Sequence, residues 1–194
     1  NDLSELRKFL LDLIAKRRRE LDKGKVVHYD ESAAIDETNV VSLASGSLGG
    51  KGRGLAFINT LIYGFELGKL TPAINIKSPI TIIIGTDEFD LFIETNKLRN
   101  IIKEEKDYEL LKRRFLNSNL SFSLEKKLKS FLKLMDKPIA IRSSSLFEDS
   151  MSQPFSGIFG TYLLPNNNPD FESRVNLIMD AIKLVYASIY SKSA

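Results

Sequence analysis

The chain has no cysteine and a single histidine among its 194 residues. Without thiols, a disulfide framework, a thiolate metal site and thiol redox chemistry are all excluded. The composition suits a reducing compartment, and a cytoplasmic protein is expected. The one histidine, His28, stands in Val26-Val27-His28-Tyr29-Asp30 and reads as a structural or surface residue. With no second histidine and with carboxylates scattered along the chain, no complete metal site is expected within it. Long apolar runs are missing as well. A stretch such as residues 80–84 falls far below the roughly 20 residues that span a bilayer, so no membrane partner is expected. Charge of one sign is also lacking: charged residues make up 27% of the chain, mixed in sign, with a formal net charge of only +3. That balance does not point to nucleic acid. The N-terminus has neither an initiator Met nor an apolar leader with a small-residue cleavage site, so the sequence is expected to start inside a longer protein.

What is present suffices for one substantial core, since 43% of the side chains are hydrophobic. Two segments are expected, residues 1–24 as an amphipathic helix or linker and residues 25–194 as the body. In the first, Asp2 and Glu5 resemble a capping box, and Leu3, Leu6, Leu10, Leu13 and Ile14 share one helical face until Gly24 ends the pattern. Arg17 interrupts that seam, so packing on the body or a link to an upstream domain is expected rather than a coiled coil. The basic run 16–19 reads as a solvated helix face. Nucleic-acid binding through it is a disfavoured alternative, because little aromatic interleaving accompanies it.

In the body, residues 26–29 read as a short strand leading into a polar segment and then a glycine cluster. After the cluster Leu55, Ile58, Leu61, Ile62 and Phe65 repeat at helical spacing. Residues 79–84 read as a buried strand, with Thr86, Asp87 and Glu88 capping a helix to about Asn96. Residues 97–115 are charged and helical, and Ser123 is expected to cap a helix that points Leu124, Leu128, Phe131, Leu132 and Met135 inward. Pro138 opens a strand through Arg142, a polar loop follows, and residues 161–164 resume extended character. Asn168 and Pro169 are expected to start a last helix with an apolar stripe from Val175 to Ile189. The fold class is α+β, a small mixed or antiparallel sheet flanked by helices.

Three segments could carry chemistry. Gly49-Gly50-Lys51-Gly52 opens a helix: the glycines let backbone amides approach an anion, the helix N-terminus adds a positive dipole, and Lys51 adds a full charge. The spacing is not that of a Walker A loop. A flexible glycine turn with an exposed lysine is the alternative. Ile139-Ala140-Ile141-Arg142-Ser143-Ser144-Ser145 delivers an arginine and three hydroxyls to the end of a buried strand, where Arg142 could fork onto phosphate oxygens or form an ion pair with Glu148 or Asp149. Phe155-Ser156-Gly157-Ile158-Phe159-Gly160-Thr161 could lie over bound phosphates or be an ordinary hairpin.

As an ordered set, these segments resemble the ATP-binding domain of the phosphoenolpyruvate synthase and pyruvate phosphate dikinase family, an ATP-grasp relative. The set comprises the GGKG of residues 49–52, the strand and helix of 80–92, the R-S-S of 142–144 with Glu148-Asp149, and the loop of 155–163. Ala181-Ile182-Lys183 and Tyr186-Ala187-Ser188-Ile189 are similar to the family's later helix. The resemblance begins near Leu43 and runs to the C-terminus. It implies the N-terminal portion of an ATP-grasp-like nucleotide-binding domain, with residues 25–194 a partial ATP-binding domain forming its first subdomain. It implies ATP as ligand, with Lys51, Arg142, Ser143, Gly157, Gly160 and Thr161 binding it, and Mg²⁺ held by ligands outside this chain. The parent would be an ATP-dependent phosphotransferase that passes phosphate through a phosphohistidine to pyruvate or a related acceptor. Its partners would be a downstream ATP-grasp subdomain, a phosphohistidine domain and an acceptor domain of the same protein. The chain alone would lack a complete active site and any catalytic residue. A regulatory nucleotide-sensing module of a signalling protein is the alternative.

Overall fold

The computed structural model describes residues 2–30, 35–70, 73–145 and 159–191. The chain divides into two compact units, one of residues 1–43 and 52–83, the other of residues 44–51 and 84–194.

In the first unit, helix α1 (Asp2–Asp22) precedes strand β1 (Val26–His28), which runs parallel to β2 (Val40–Ala44) with Val26 opposite Val40. The sheet order is β1-β2-β3, with β3 at Thr81–Ile84, so β2 is central. Val40, Val41 and Leu43 are almost wholly buried, as is Ser42 between them. A central strand covered on both faces shows no alternation, and for that reason the polar segment expected here is a strand. Helix α2 (Gly49–Asn59) does not continue as a regular helix to Phe65. It widens into a π-helical turn over Thr60–Gly64, followed by the short α3 (Leu67–Leu70). The cause is local. Gly24 lies so close that a Cβ there would sit 2.7 Å from the Gly64 nitrogen, and Thr60 Oγ1 donates to the Gly24 carbonyl as well as to Ala56.

The second unit is mostly helical: α4 (Thr86–Thr95), α5 (Leu98–Glu104), α6 (Tyr108–Leu116), α7 (Phe122–Leu132) and α8 (Phe171–Ser188). Its core is built on Phe92, Leu98, Phe115, Leu124, Leu132 and Val175, with the Phe92 ring 5.6 Å from Phe115 and 5.4 Å from Tyr186. Strands β4 (Ile139–Arg142) and β5 (Thr161–Leu164) form an antiparallel ribbon against α8. Asn166 and Arg174 tie its ends to α7: Asn166 Nδ2 donates to the Met135 and Lys137 carbonyls at 3.0 Å each, and Arg174 donates to Asn166 Oδ1 and to the Leu132 and Met135 carbonyls.

Four boundaries differ from the sequence expectation. Gly85, not Thr86, is the N-cap of α4, and Thr86 is its first helical residue. The helical stretch expected over 97–115 consists of two helices, because the Asp107 carboxylate accepts the Glu109 amide at 2.9 Å and starts α6 afresh. Ser121 rather than Ser123 caps α7, taking the Leu124 amide at 3.1 Å while donating to the buried Glu88. Asp170 rather than Asn168 caps α8, through the Ser173 amide at 2.9 Å. Ser121 and Asp170 each stand three residues before the amide they receive.

Candidate functional site

Residues 44–51, the end of β4 and the ribbon all belong to the second unit. The glycine loop between β2 and α2 is fastened on both flanks. On one, the Ser47 amide donates to Thr86 Oγ1 at 2.9 Å, the Thr86 amide to the Ser47 carbonyl, and the Asp87 amide to the Ser45 carbonyl. The backbones meet so closely that a Cβ on Gly85 would fall 2.0 Å from the Ser45 carbonyl oxygen. On the other flank, the Gly50 amide donates to the Ser144 carbonyl at 2.9 Å, and Ser144 Oγ donates to the Leu48 carbonyl at 2.7 Å. Gly49, between these two bonds, has φ of 69° and leaves no space: a Cβ would overlap the Ser144 oxygen at 1.5 Å. The first two motifs found in the sequence are therefore physically joined, with Ser144 as the joint.

Two residues before that joint stands Arg142. The ribbon register sets it directly across from Thr161, and cross-strand partners share a face. Arg142 and Thr161 are exposed, as are Ala140 and Leu163 on the same face, while Ile139, Ile141, Tyr162 and Leu164 form the half-buried face. Lys51 occupies the first turn of α2, half-buried, with its ammonium nitrogen shielded from solvent. Ser143 is half-buried, and its hydroxyl oxygen accepts the Ser145 amide at 3.1 Å, turning the chain out of β4. The Gly160 amide donates to Ser188 Oγ at 2.9 Å, which pins the start of β5 to α8. Gly157, like Glu148, Asp149 and Phe155, lies outside the described residues.

The electrostatics distinguish two nearby helix starts. Helix α4 carries Asp87 and Glu88 in its first turn, so its positive end is already matched by its own carboxylates. Helix α2 has no acid in its first turn, so no carboxylate of its own offsets its positive end, and Lys51 adds a further positive charge there. Among the described residues no three His, Asp or Glu side chains gather as a metal-binding group, and Glu88 is occupied by the Ser121 amide and hydroxyl. These residues do not make a Mg²⁺ site. Arg142 opposite Thr161, in the same unit as the glycine loop and Lys51, instead suits phosphate oxygens.

The sequence motifs single out Lys51, Arg142 and Thr161 as site candidates; they name Ser144 and Thr86 too, but not the role these two have in holding the loop in place. No local signal marks that role, because their partners lie 39 and 96 positions away. A family model described as pyruvate phosphate dikinase, AMP/ATP-binding domain, matches residues 45–194, beginning at the glycine loop. No curated protein and no solved structure matches the chain.

Proposed function

This chain belongs to the AMP/ATP-binding domain family of pyruvate phosphate dikinase, and we propose that the surface carrying Lys51, Arg142, Ser143 and Thr161 is the phosphate-binding wall of an ATP site. The observation that carries this reading is the Ser144 joint: it sets the lysine-bearing glycine loop beside the strand end whose arginine lies across from Thr161. In this reading Arg142 forks onto phosphate oxygens, Lys51 turns its flexible stem outward to neutralise a second phosphate, and the positive end of the α2 dipole adds to the attraction. Ser143 and Thr161 offer hydroxyls, and Gly157 and Gly160 belong to the segment that covers the phosphates.

Residues 25–194 then form a partial ATP-binding domain, with residues 1–24 a helix attached to it. The parent is an ATP-dependent phosphotransferase of the dikinase type, acting in the cytoplasm. It moves a phosphoryl group from ATP to a histidine on another domain and then to pyruvate or a related acceptor. Such transfer depends on positioning and charge neutralisation more than on covalent chemistry by the protein, which is what a lysine, an arginine and backbone amides supply. Mg²⁺ and the reacting histidine come from parts of the protein other than the residues named here, and the chain alone is inactive.

Titration of ATP against the wild type, Lys51→Ala and Arg142→Ala tests the assignment. Each variant is expected to weaken ATP by roughly tenfold or more, the loss typical of a charge-assisted hydrogen bond, and to leave adenosine binding unchanged. Equal ATP affinity in all three proteins would refute it.

A further inference from the structure

We propose that Ser144 is a positioning residue, which sets the height of the Lys51 loop against Arg142 and thereby the spacing of the two phosphate-binding cations. The inference rests on the ATP reading above and adds a residue that touches no phosphate.

The argument is one of connectivity. Ser144 holds the loop at two points only two residues apart: its carbonyl oxygen accepts from the Gly50 amide at 2.9 Å, and its hydroxyl donates to the Leu48 carbonyl at 2.7 Å. Two bonds to one residue fix the rotation of the loop as well as its distance. Gly49 between them is pressed onto the Ser144 carbonyl, so the loop can move no closer. The opposite flank is held by Thr86 through the Ser47 amide. With that side fixed, the Ser144 hydroxyl governs how the first turn of α2, and Lys51 in it, stands relative to the strand bearing Arg142. All of these residues lie in one unit, so the relation does not depend on any movement between units.

The hydroxyl is also poorly placed to be a pillar of stability. Ser144 and Leu48 are only half-buried, so water can satisfy the Leu48 carbonyl when the hydroxyl is removed. A positioning role therefore predicts a split: little change in unfolding, but a clear change in recognition of the phosphates.

The test is a double-mutant cycle on the full chain with ATP and adenosine as probes. Ser144→Ala is expected to weaken ATP by roughly three- to tenfold, the value of one hydrogen bond's geometry, with adenosine affinity and the thermal midpoint nearly unchanged. In a Lys51→Ala background the same substitution is expected to have almost no effect, because the group it positions is gone. Ser144→Thr keeps the hydroxyl and is expected to restore ATP affinity. Amide hydrogen exchange at Gly50 is expected to quicken in Ser144→Ala and not in Ser144→Thr. Equal losses in both backgrounds, equal losses for ATP and adenosine, or unchanged ATP binding in Ser144→Ala would each overturn the positioning role. If Lys51→Ala and Arg142→Ala bind ATP as the wild type does, or if the wild type binds none, the ATP reading itself fails and takes this inference with it.

Discussion

At the scale of single residues, the glycines separate by what surrounds them. Gly49 combines positive φ with a backbone contact that admits no side chain, whereas Gly54 lies within α2 with nothing within 4 Å of a Cβ. Gly49→Ala is expected to cost more than the roughly 1–3 kcal/mol of backbone strain, because the loop must also leave Ser144. Gly54→Ala is expected to gain about 0.5–1 kcal/mol by lowering the entropy lost on forming the helix. Urea unfolding of the two variants checks both signs, and a stabilising Gly49→Ala would mean that the loop does not rest on Ser144. The same two glycines look alike in the sequence, five positions apart. A glycine required by close approach is told from a dispensable one only by its partner, here 95 positions further along the chain.

Among the elements, α8 is the spine of the second unit, and it carries one unresolved cost. Tyr186 packs its ring 5.1 Å from Phe89 and 5.4 Å from Phe92, but its hydroxyl is buried without a hydrogen-bond partner among the described residues. Burial foremost, and secondly the negative Glu88, push its phenol well above the ordinary value of 10, and burial raises Tyr190 in the same direction. A phenol raised in the folded state keeps its proton at a pH where the unfolded chain has lost it. Its contribution is therefore fully present below about pH 10 and is lost as the pH climbs beyond. Tyr186→Phe is expected to stabilise the protein by up to about 1 kcal/mol at neutral pH, by removing the unpaired hydroxyl. It is also expected to shallow the fall in stability above pH 10. A loss of more than about 1 kcal/mol on urea unfolding would show that the hydroxyl has a partner after all.

Elements of this kind were the legible part of the sequence. The apolar stripe of α8 was visible through its helical period, and the strands around Ile83 and Ile141 through their short apolar, β-branched runs. Strand β2 was not visible, because Val40, Val41, Ser42 and Leu43 are buried on both faces and carry no period at all. The caps were misplaced by one or two positions, since Ser121 and Ser123, or Asn168 and Asp170, offer the same chemistry. Only the helix start decides between them. The site was legible as three motifs in order, and its joining through Ser144 and Thr86 was not, because nothing local announces a contact made across the fold.

At the scale of the whole molecule, residues 1–24 stand out by the apolar surface they leave uncovered. Helix α1 is 21 residues long, yet Leu3, Leu6, Phe9, Leu10, Leu13 and Ile14 along it remain exposed, Leu3 at 85%. Toward its far end Arg18 forms an ion pair with Asp30 at 2.6 Å, and beyond it the Gly24 amide donates to the Thr38 carbonyl and the Gly24 carbonyl accepts from Thr60 Oγ1. An exposed pair of this kind is worth at most about 1 kcal/mol. Among the described residues, the buried apolar side chains of the first unit, Val40, Val41, Leu43, Ile62 and Ile83, come from β2, β3 and the turn after α2, and none comes from α1. The hydrophobic stabilisation of that unit is thus independent of the helix, since burial rather than helix propensity is what stabilises most helices in proteins. Deleting residues 1–22 is accordingly expected to remove helical circular dichroism in proportion to one long helix while leaving a cooperative thermal transition within a few degrees of the full chain's. ATP affinity is expected to be unchanged, because the Lys51 loop, Arg142 and Thr161 all belong to the other unit. Loss of the cooperative transition on deletion would show instead that α1 is an integral part of the body, and the boundary at residue 24 would have to be abandoned.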